Sequence, residues 1–388
     1  MADFRMRHGI FMAPYHALDE NPTICLRRDL ELVQFLDQLG FDEAWFGEHH
    51  SSGFETISSP ELMIAAAAEM TKRIRLGTGV ITLPYHNPLM VAERITQLDH
   101  MTMGRAMFGF GPGLLAGDAH MLDISIPAMR DRMVESIEVI LDLLDGKEVT
   151  RKTEWFSLQN AKVHILPFSQ PRPDMVVASA GTPSGGMAAG RFGFGMLCVA
   201  ATAVEGFDVL LGNWEVAQQI AAENQQKVSR ENLRLVGPMH IAETREKAIE
   251  NVKFGLPRWV DYYNKVAPKG FGDFGSPEAA AQHLIETKRA VIGTPEDAIA
   301  QIQRLIDKQG DFGAYLFQAT DWADWEQTKK SYELYARYVI PHFAKTNVNR
   351  QSSYDWLTTE LPKFNERRQQ GVDAAFAKYQ AHKDRQGQ

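Results

Sequence analysis

The run Glu48-His49-His50 follows an apolar, strand-like segment and leads into Ser51-Ser52-Gly53-Phe54-Glu55. Histidine titrates near neutral pH, so an imidazole at a strand end can hold or release a proton during a reaction. Successive side chains on extended chain point to opposite faces, so at most one of His49 and His50 serves a given site. A metal would need further ligands, for which His16, His86 and His240 are the candidates. A second chemical signal is Ser179-Ala180-Gly181-Thr182-Pro183-Ser184-Gly185-Gly186. Free N–H groups at a helix start, flanked by small hydroxyls, make an anion seat, although an N-cap and tight turn would use the same residues. In the run Ile74 to Pro84, Gly77 and Gly79 sit inside a strand pattern, which implies close approach of a flat ring or a bulge. Gly109, Gly111 and Gly113 form a further glycine-rich turn, a weak signal alone. Neither a Ser-His-Asp spacing nor a Walker loop is visible.

These residues need a frame that gathers them. Apolar runs over Gly9–Ala13, Glu43–Gly47, Ile74–Thr82, Arg105–Phe110, Met175–Ser179, Gly195–Ala200, Leu233–Ile241 and Ala314–Gln318 read as strands. Most are uninterrupted, as expected of strands buried on both faces of a parallel sheet. Between them, Pro22–Leu39, Pro60–Thr71, Pro88–Met101, Pro127–Asp145, Pro183–Arg191 and Val204–Lys227 carry helical spacing, several opened by proline. The alternation predicts an α/β fold, a (β/α)8 TIM barrel. A doubly wound sheet would place a glycine-rich turn after the first strand, where this chain has Ala13-Pro14-Tyr15-His16. In a barrel the strand ends carrying Glu48-His49-His50 and Ser179–Gly186 converge at one mouth.

The chain has 388 residues, 41 Lys plus Arg and 49 Asp plus Glu, giving a formal charge of −8, with 44% apolar residues. No basic stripe is present, which argues against nucleic acid as ligand. Cys25 and Cys198, far apart, give no disulfide framework or thiolate metal site, and a reducing cytoplasm is the expected compartment. No signal-peptide pattern or membrane span is expected. The barrel is expected over residues 1–345, with excursions at about 147–172 and 254–290, the second read as a long loop and lid. Residues 346–388 are expected to form a helical tail packed on the barrel. Tyr15, His16, Phe54, Phe271 and Trp322 are the expected substrate pocket.

The sequence resembles the bacterial luciferase-like flavin-dependent monooxygenases. The matching segments are Leu39-Gly40-Phe41-Asp42 into Trp45-Phe46-Gly47-Glu48-His49-His50, Ser59-Pro60-Glu61, Arg75–Val80 with Leu83-Pro84 and His86-Asn87-Pro88, and Gly104-Arg105 with Phe108–Gly113. Asp118-Ala119, Arg130 to Met133 and Ser179 to Gly185 are most similar to the limonene 1,2-monooxygenase-like subgroup. The resemblance implies a barrel that takes reduced FMN or FAD from a separate NAD(P)H-dependent flavin reductase. With O2, through a C4a-(hydro)peroxyflavin, it would oxygenate a small apolar substrate such as a terpene, cyclic ketone or aldehyde. It implies a homodimer and no metal. His49 matches the family's catalytic histidine, and Gly79-Val80 a non-prolyl cis peptide under the ring. The implied cofactor contacts are Gly79, Val80, Gly111, Gly113, Ser179, Gly181, Thr182, Ser184, Gly185 and Arg191. Pro112 stands where luciferases have a phosphate-binding arginine, which moves that task to the Ser179–Ser184 turn and Arg191. An F420-dependent oxidoreductase of the same barrel superfamily and a non-catalytic flavin-binding protein are the alternative readings.

Overall fold

Proline sets φ for a first helical turn and lacks the N–H that would be orphaned there. Pro22, Pro60, Pro88, Pro277 and Pro295 accordingly begin helices Pro22–Leu39, Pro60–Met70, Pro88–Met101, Pro277–Glu286 and Pro295–Gln309. Asn21, Asn87 and Ser276 cap three of them by accepting N–H groups of the first turn. The computed structural model describes residues 4–13, 15–266 and 270–387. Pro14 of the first strand's end and residues 267–269 of the second excursion lie outside the described residues.

The strands are β1 (Arg7–Met12), β2 (Glu43–Phe46), β3 (Arg75–Thr82), β4 (Ala106–Gly111), β5 (Asp174–Ser179), β6 (Gly195–Cys198), β7 (Leu233–Ile241) and β8 (Ala314–Gln318). They pair in chain order, all parallel, and β8 returns to β1, closing an eight-stranded barrel with helices between strands. A short strand, Val291–Gly293, adds to the C-terminal end of β7. The excursion at 147–172 contains an antiparallel hairpin, Val149–Lys152 with Ser157–Ala161. The excursion at 254–290 corrects the loop expectation, because it holds helices Leu256–Lys265 and Pro277–Glu286. Leu256, Trp259, Val260 and Tyr262 of the first are buried, and this apolar stripe outweighs the Gly and Pro content around it.

Residues 1–340 and 341–388 are two compact units. In the second, helix Val348–Gln386 contains Pro362 and carries no buried side chain. No helix among the described residues is long and apolar enough to cross a membrane. Both cysteines are free and buried.

Inside the barrel, Phe11, Trp45, Met107, Val176, Leu197, Val236 and Leu316 form an apolar layer. Gly77 is glycine because Trp45 lies against it: a Cβ there would meet the indole at 2.4 Å. Below this layer the guanidinium of fully buried Arg234 donates to Glu43 at 2.8 Å and to Asp174 at 2.7 Å. Arg7 and Trp45 Nε1 also donate to Glu43. Burial alone would raise the Glu43 pKa, but Arg234 and Arg7 hold it at about 2 against an ordinary 4.5. Its folded value lies below its unfolded one, so this stabilisation is complete above about pH 4.5 and is lost as pH falls toward 2. Removing one partner of a buried pair leaves an uncompensated charge, so Arg234→Met is expected to cost about 3–5 kcal/mol. Urea denaturation at pH 7 checks this, and an unchanged midpoint would show the network to be idle.

Candidate active site

A cavity of about 390 Å³ opens at the C-terminal mouth of the barrel. Its floor and one wall come from the ends of β3, β4 and β5: Gly79, Val80, Thr82, Gly111, Gly113 and Ser179. The Gly79–Val80 peptide is cis. Between Thr78 and Ile81 the β3–β4 register shifts, a bulge held by Thr78 Oγ1, which accepts from Gly109 N and donates to Gly109 O. A Cβ on Gly111 would meet Val80 at 2.5 Å, and Gly113 has φ +97°, where a side chain is strained.

Glu48 ties β2 to this bulge. One carboxylate oxygen accepts from Thr82 N at 2.6 Å, and the other faces His50 Nε2 at 3.0 Å and His86 Nε2 at 2.6 Å. Burial opposes ionisation, but these hydrogen bonds hold the Glu48 pKa at about 2. His49 lines the cavity, whereas His50 is engaged with Glu48. Two of the candidate metal ligands are similarly engaged: His16 faces Asp29, and His240 faces Asn251. Among the described residues no three His, Cys, Asp or Glu side chains are grouped to hold a metal ion.

His49 is held between two carboxylates. Its Nδ1 lies 3.2 Å from Asp118 Oδ2, and its Nε2 lies 3.6 Å from Glu55 Oε2. Asp118 also accepts from Ser51 Oγ at 2.5 Å and His50 N at 3.2 Å. An ionised carboxylate has no proton to donate, so the Asp118 contact puts the N–H on Nδ1 and leaves Nε2 to exchange a proton. Burial disfavours the imidazolium, yet the Asp118 hydrogen bond and the fields of Glu55 and Asp118 raise the His49 pKa above its ordinary value. Tyr262 OH donates to Glu55 Oε2 at 2.9 Å, and burial pushes the Glu55 pKa up.

The cavity lining also has polar groups that follow β5. Thr182 and Ser184 stand at the start of helix Ser184–Phe192, whose N-cap, Pro183, supplies no side-chain hydrogen bond. Their hydroxyls face each other at 2.9 Å, and Arg130 lines the cavity with them. Helix-start N–H groups, two hydroxyls and a guanidinium suit an anion such as phosphate.

Of the residues expected at the cofactor, Gly79, Val80, Gly111, Gly113, Ser179, Thr182 and Ser184 line this cavity. Gly181 and Gly185 belong to the same turn without lining it. A Cβ on Gly185 would meet Ala178 O at 2.6 Å, so this glycine seats the helix on β5. Arg191 stands two turns further along that helix and donates to Glu138 at 2.5 Å, outside the lining. Of the expected substrate pocket, Tyr15, His16 and Trp322 line a separate cavity of about 60 Å³. Phe54 stacks on Tyr15, and Phe271 packs on Trp259, both behind the main wall. The aromatic wall of the main cavity is instead Trp259, Tyr262 and Tyr263. Sequence reading named neither these nor Glu55, Arg130, Arg289 or Gln318 as site residues. The spacing 256, 259, 260, 263 was the available signal for the helix that brings the aromatics.

The lining of this cavity combines apolar side chains, the His49 imidazole and a helix start with small hydroxyls. Residues 6–311 match the family described as luciferase-like monooxygenase. The chain is 44% identical to limonene 1,2-monooxygenase of Rhodococcus erythropolis over 339 residues, 87% of each protein. It is 40% identical to 4-hydroxyprotoasukamycin monooxygenase of Streptomyces nodosus subsp. asukaensis over 367 residues, 92% of this chain and 97% of that one. Among solved structures, the oxygenating constituent of 3,6-diketocamphane monooxygenase from Pseudomonas putida, in complex with FMN, aligns with a TM-score of 0.73 at 22% identity. It covers 87% of this chain and 99% of that one.

Proposed function

Because the chain belongs to the luciferase-like monooxygenase family, we propose that it binds reduced FMN across the barrel mouth and, with O2, oxygenates a small, largely apolar substrate. The observation that carries this reading is the mixed lining of the cavity, which joins apolar Val80, Phe11 and Val236 with Thr182, Ser184 and Arg130, groups suited to an anion. Bound reduced flavin would supply two electrons and activate O2 for transfer of one oxygen atom. Val80 and Gly111 would meet the ring, and the Thr182–Ser184 helix start with Arg130 would hold the phosphate. That single anion seat favours FMN over FAD, as does the FMN in the diketocamphane enzyme. That protein is named an oxygenating constituent, which supports a separate NAD(P)H-dependent reductase as the source of reduced flavin here.

The protein's own contribution is positioning, water exclusion and proton control. Asp118 fixes the His49 ring, and Nε2 holds or releases a proton at the cavity wall. Glu55, hydrogen-bonded by Tyr262, sets how readily that proton leaves. Trp259, Tyr262 and Tyr263 keep water from the reacting atoms. With photoreduced FMN, 18O2 and a panel of terpenes, cyclic ketones and aldehydes, product carrying one labelled atom is expected. Oxidation of reduced F420 without O2 uptake would replace this reading.

Arg130→Ala is expected to weaken FMN at least about tenfold and leave riboflavin, which lacks the phosphate, unchanged. Arg191→Ala should change neither. Fluorescence titration reads both, and equal losses for the two flavins would remove Arg130 from the anion seat. Leu62, Met70, Met90 and Met101 are exposed on helices Pro60–Met70 and Pro88–Met101, and we assign this face to a homodimer. Light scattering of a Leu62→Glu, Met90→Glu variant should give monomer where wild type gives dimer.

A further inference from the structure

Arg289 has no place in the chemistry above, yet it lines the cavity. It precedes strand Val291–Gly293 on the β7 side of the mouth, and Thr202 Oγ1, just after β6, donates to its carbonyl at 2.7 Å. Arg130 stands in the first turn of helix Met129–Leu144, which follows β4, and Thr182 and Ser184 follow β5, so the two arginines come from different segments of the rim.

The half-buried guanidinium carbon sits 4.2 Å from the centre of the Phe271 ring and 5.9 Å from that of Tyr263. Among the described residues it makes no hydrogen bond and no ion pair within 4 Å. Burial works against its charge, and Tyr263 and Glu205 work for it at longer range. Arginine does not deprotonate in proteins, so a cation with five donors is held by aromatic faces at the cavity edge. Gln318 lines the same wall, and its amide donates to Tyr263 OH at 3.2 Å. A pure hydrocarbon filling this cavity would strip water from the guanidinium and offer nothing in return. A carboxylate or phenolate would pair with its fork.

We propose that Arg289 selects the substrate by pairing with a deprotonated oxygen group, a carboxylate or phenolate, on a compact apolar body. This rests on the monooxygenase reading and narrows its substrate class.

The test is isothermal titration of the whole protein with cyclohexanecarboxylate, cyclohexanecarboxamide and methylcyclohexane, with and without saturating FMN. Wild type is expected to bind the carboxylate at least about tenfold more tightly than the carboxamide. Arg289→Met should abolish that preference, and Arg289→Lys should keep part of it. Equal affinities in wild type, or a preference that survives in Arg289→Met, would overturn the proposal. So would an Arg289→Met that weakens FMN more than about tenfold relative to riboflavin while keeping the carboxylate preference, since the arginine would then serve the cofactor. Failure of FMN to bind overturns the cofactor reading instead, while the carboxylate preference, read in both states, decides Arg289 by itself.

Discussion

His49→Ala is expected to cut oxygenated product per flavin oxidised by about 10²–10⁴-fold, the range for a positioned proton-transfer group. Flavin oxidation itself should continue. The imidazole lines the cavity with Nδ1 committed to Asp118, so Nε2 is the atom able to exchange a proton there. Its loss removes proton control and also opens space for water beside the reacting atoms. His49→Gln keeps a hydrogen-bonding group of similar reach and separates these contributions, because it should restore water exclusion but not proton transfer. Product by gas chromatography against flavin oxidised by absorbance gives the ratio. Coupling at the wild-type level in both variants would remove His49 from the reaction.

Asp118→Asn should lower the same ratio by roughly 10²-fold, by releasing the ring from its tautomer and orientation. The carboxylate accepts from His49, Ser51 and the His50 backbone, and an amide cannot accept at both of its atoms. The pH profile carries a second sign. Asp118 and Glu55 raise the His49 pKa against burial, so the imidazolium persists to higher pH than in a free histidine. Removing the Asp118 charge lowers that value. Whether product formation needs the neutral or the charged ring, the limb belonging to His49 must then move to lower pH. Glu55→Gln should move it the same way by a smaller step. A limb that stays in place in Asp118→Asn would assign it to another group.

Much of the frame was legible because the strands are buried on both faces and the helices start with proline. The run Leu233–Ile241 reads as apolar, and only the structure shows that Arg234 within it points inward to Glu43 and Asp174. His49 and the Ser179–Ser184 turn were visible as strand-end motifs. Asp118 entered only through family likeness, since it lies 69 residues from His49 and no local spacing links them. Arg191 follows the turn in sequence, but helix geometry carries it two turns away to Glu138, whereas Arg130, from a different segment, lines the cavity that Thr182 and Ser184 also line. Tyr262 was hidden by glycines and prolines flanking a short helix. Tyr15 and Trp322 are strand-end aromatics as expected, yet they face a neighbouring cavity. Distances across separate loops set these outcomes, and a linear pattern does not encode them.

The most direct measurement is a crystal structure of the protein with FMN bound. The ring should lie against Gly79–Val80, with its edge toward His49 and its phosphate at Thr182, Ser184 and Arg130. A flavin seated elsewhere, or a mouth closed by the protein's own side chains at saturating FMN, would contradict the account.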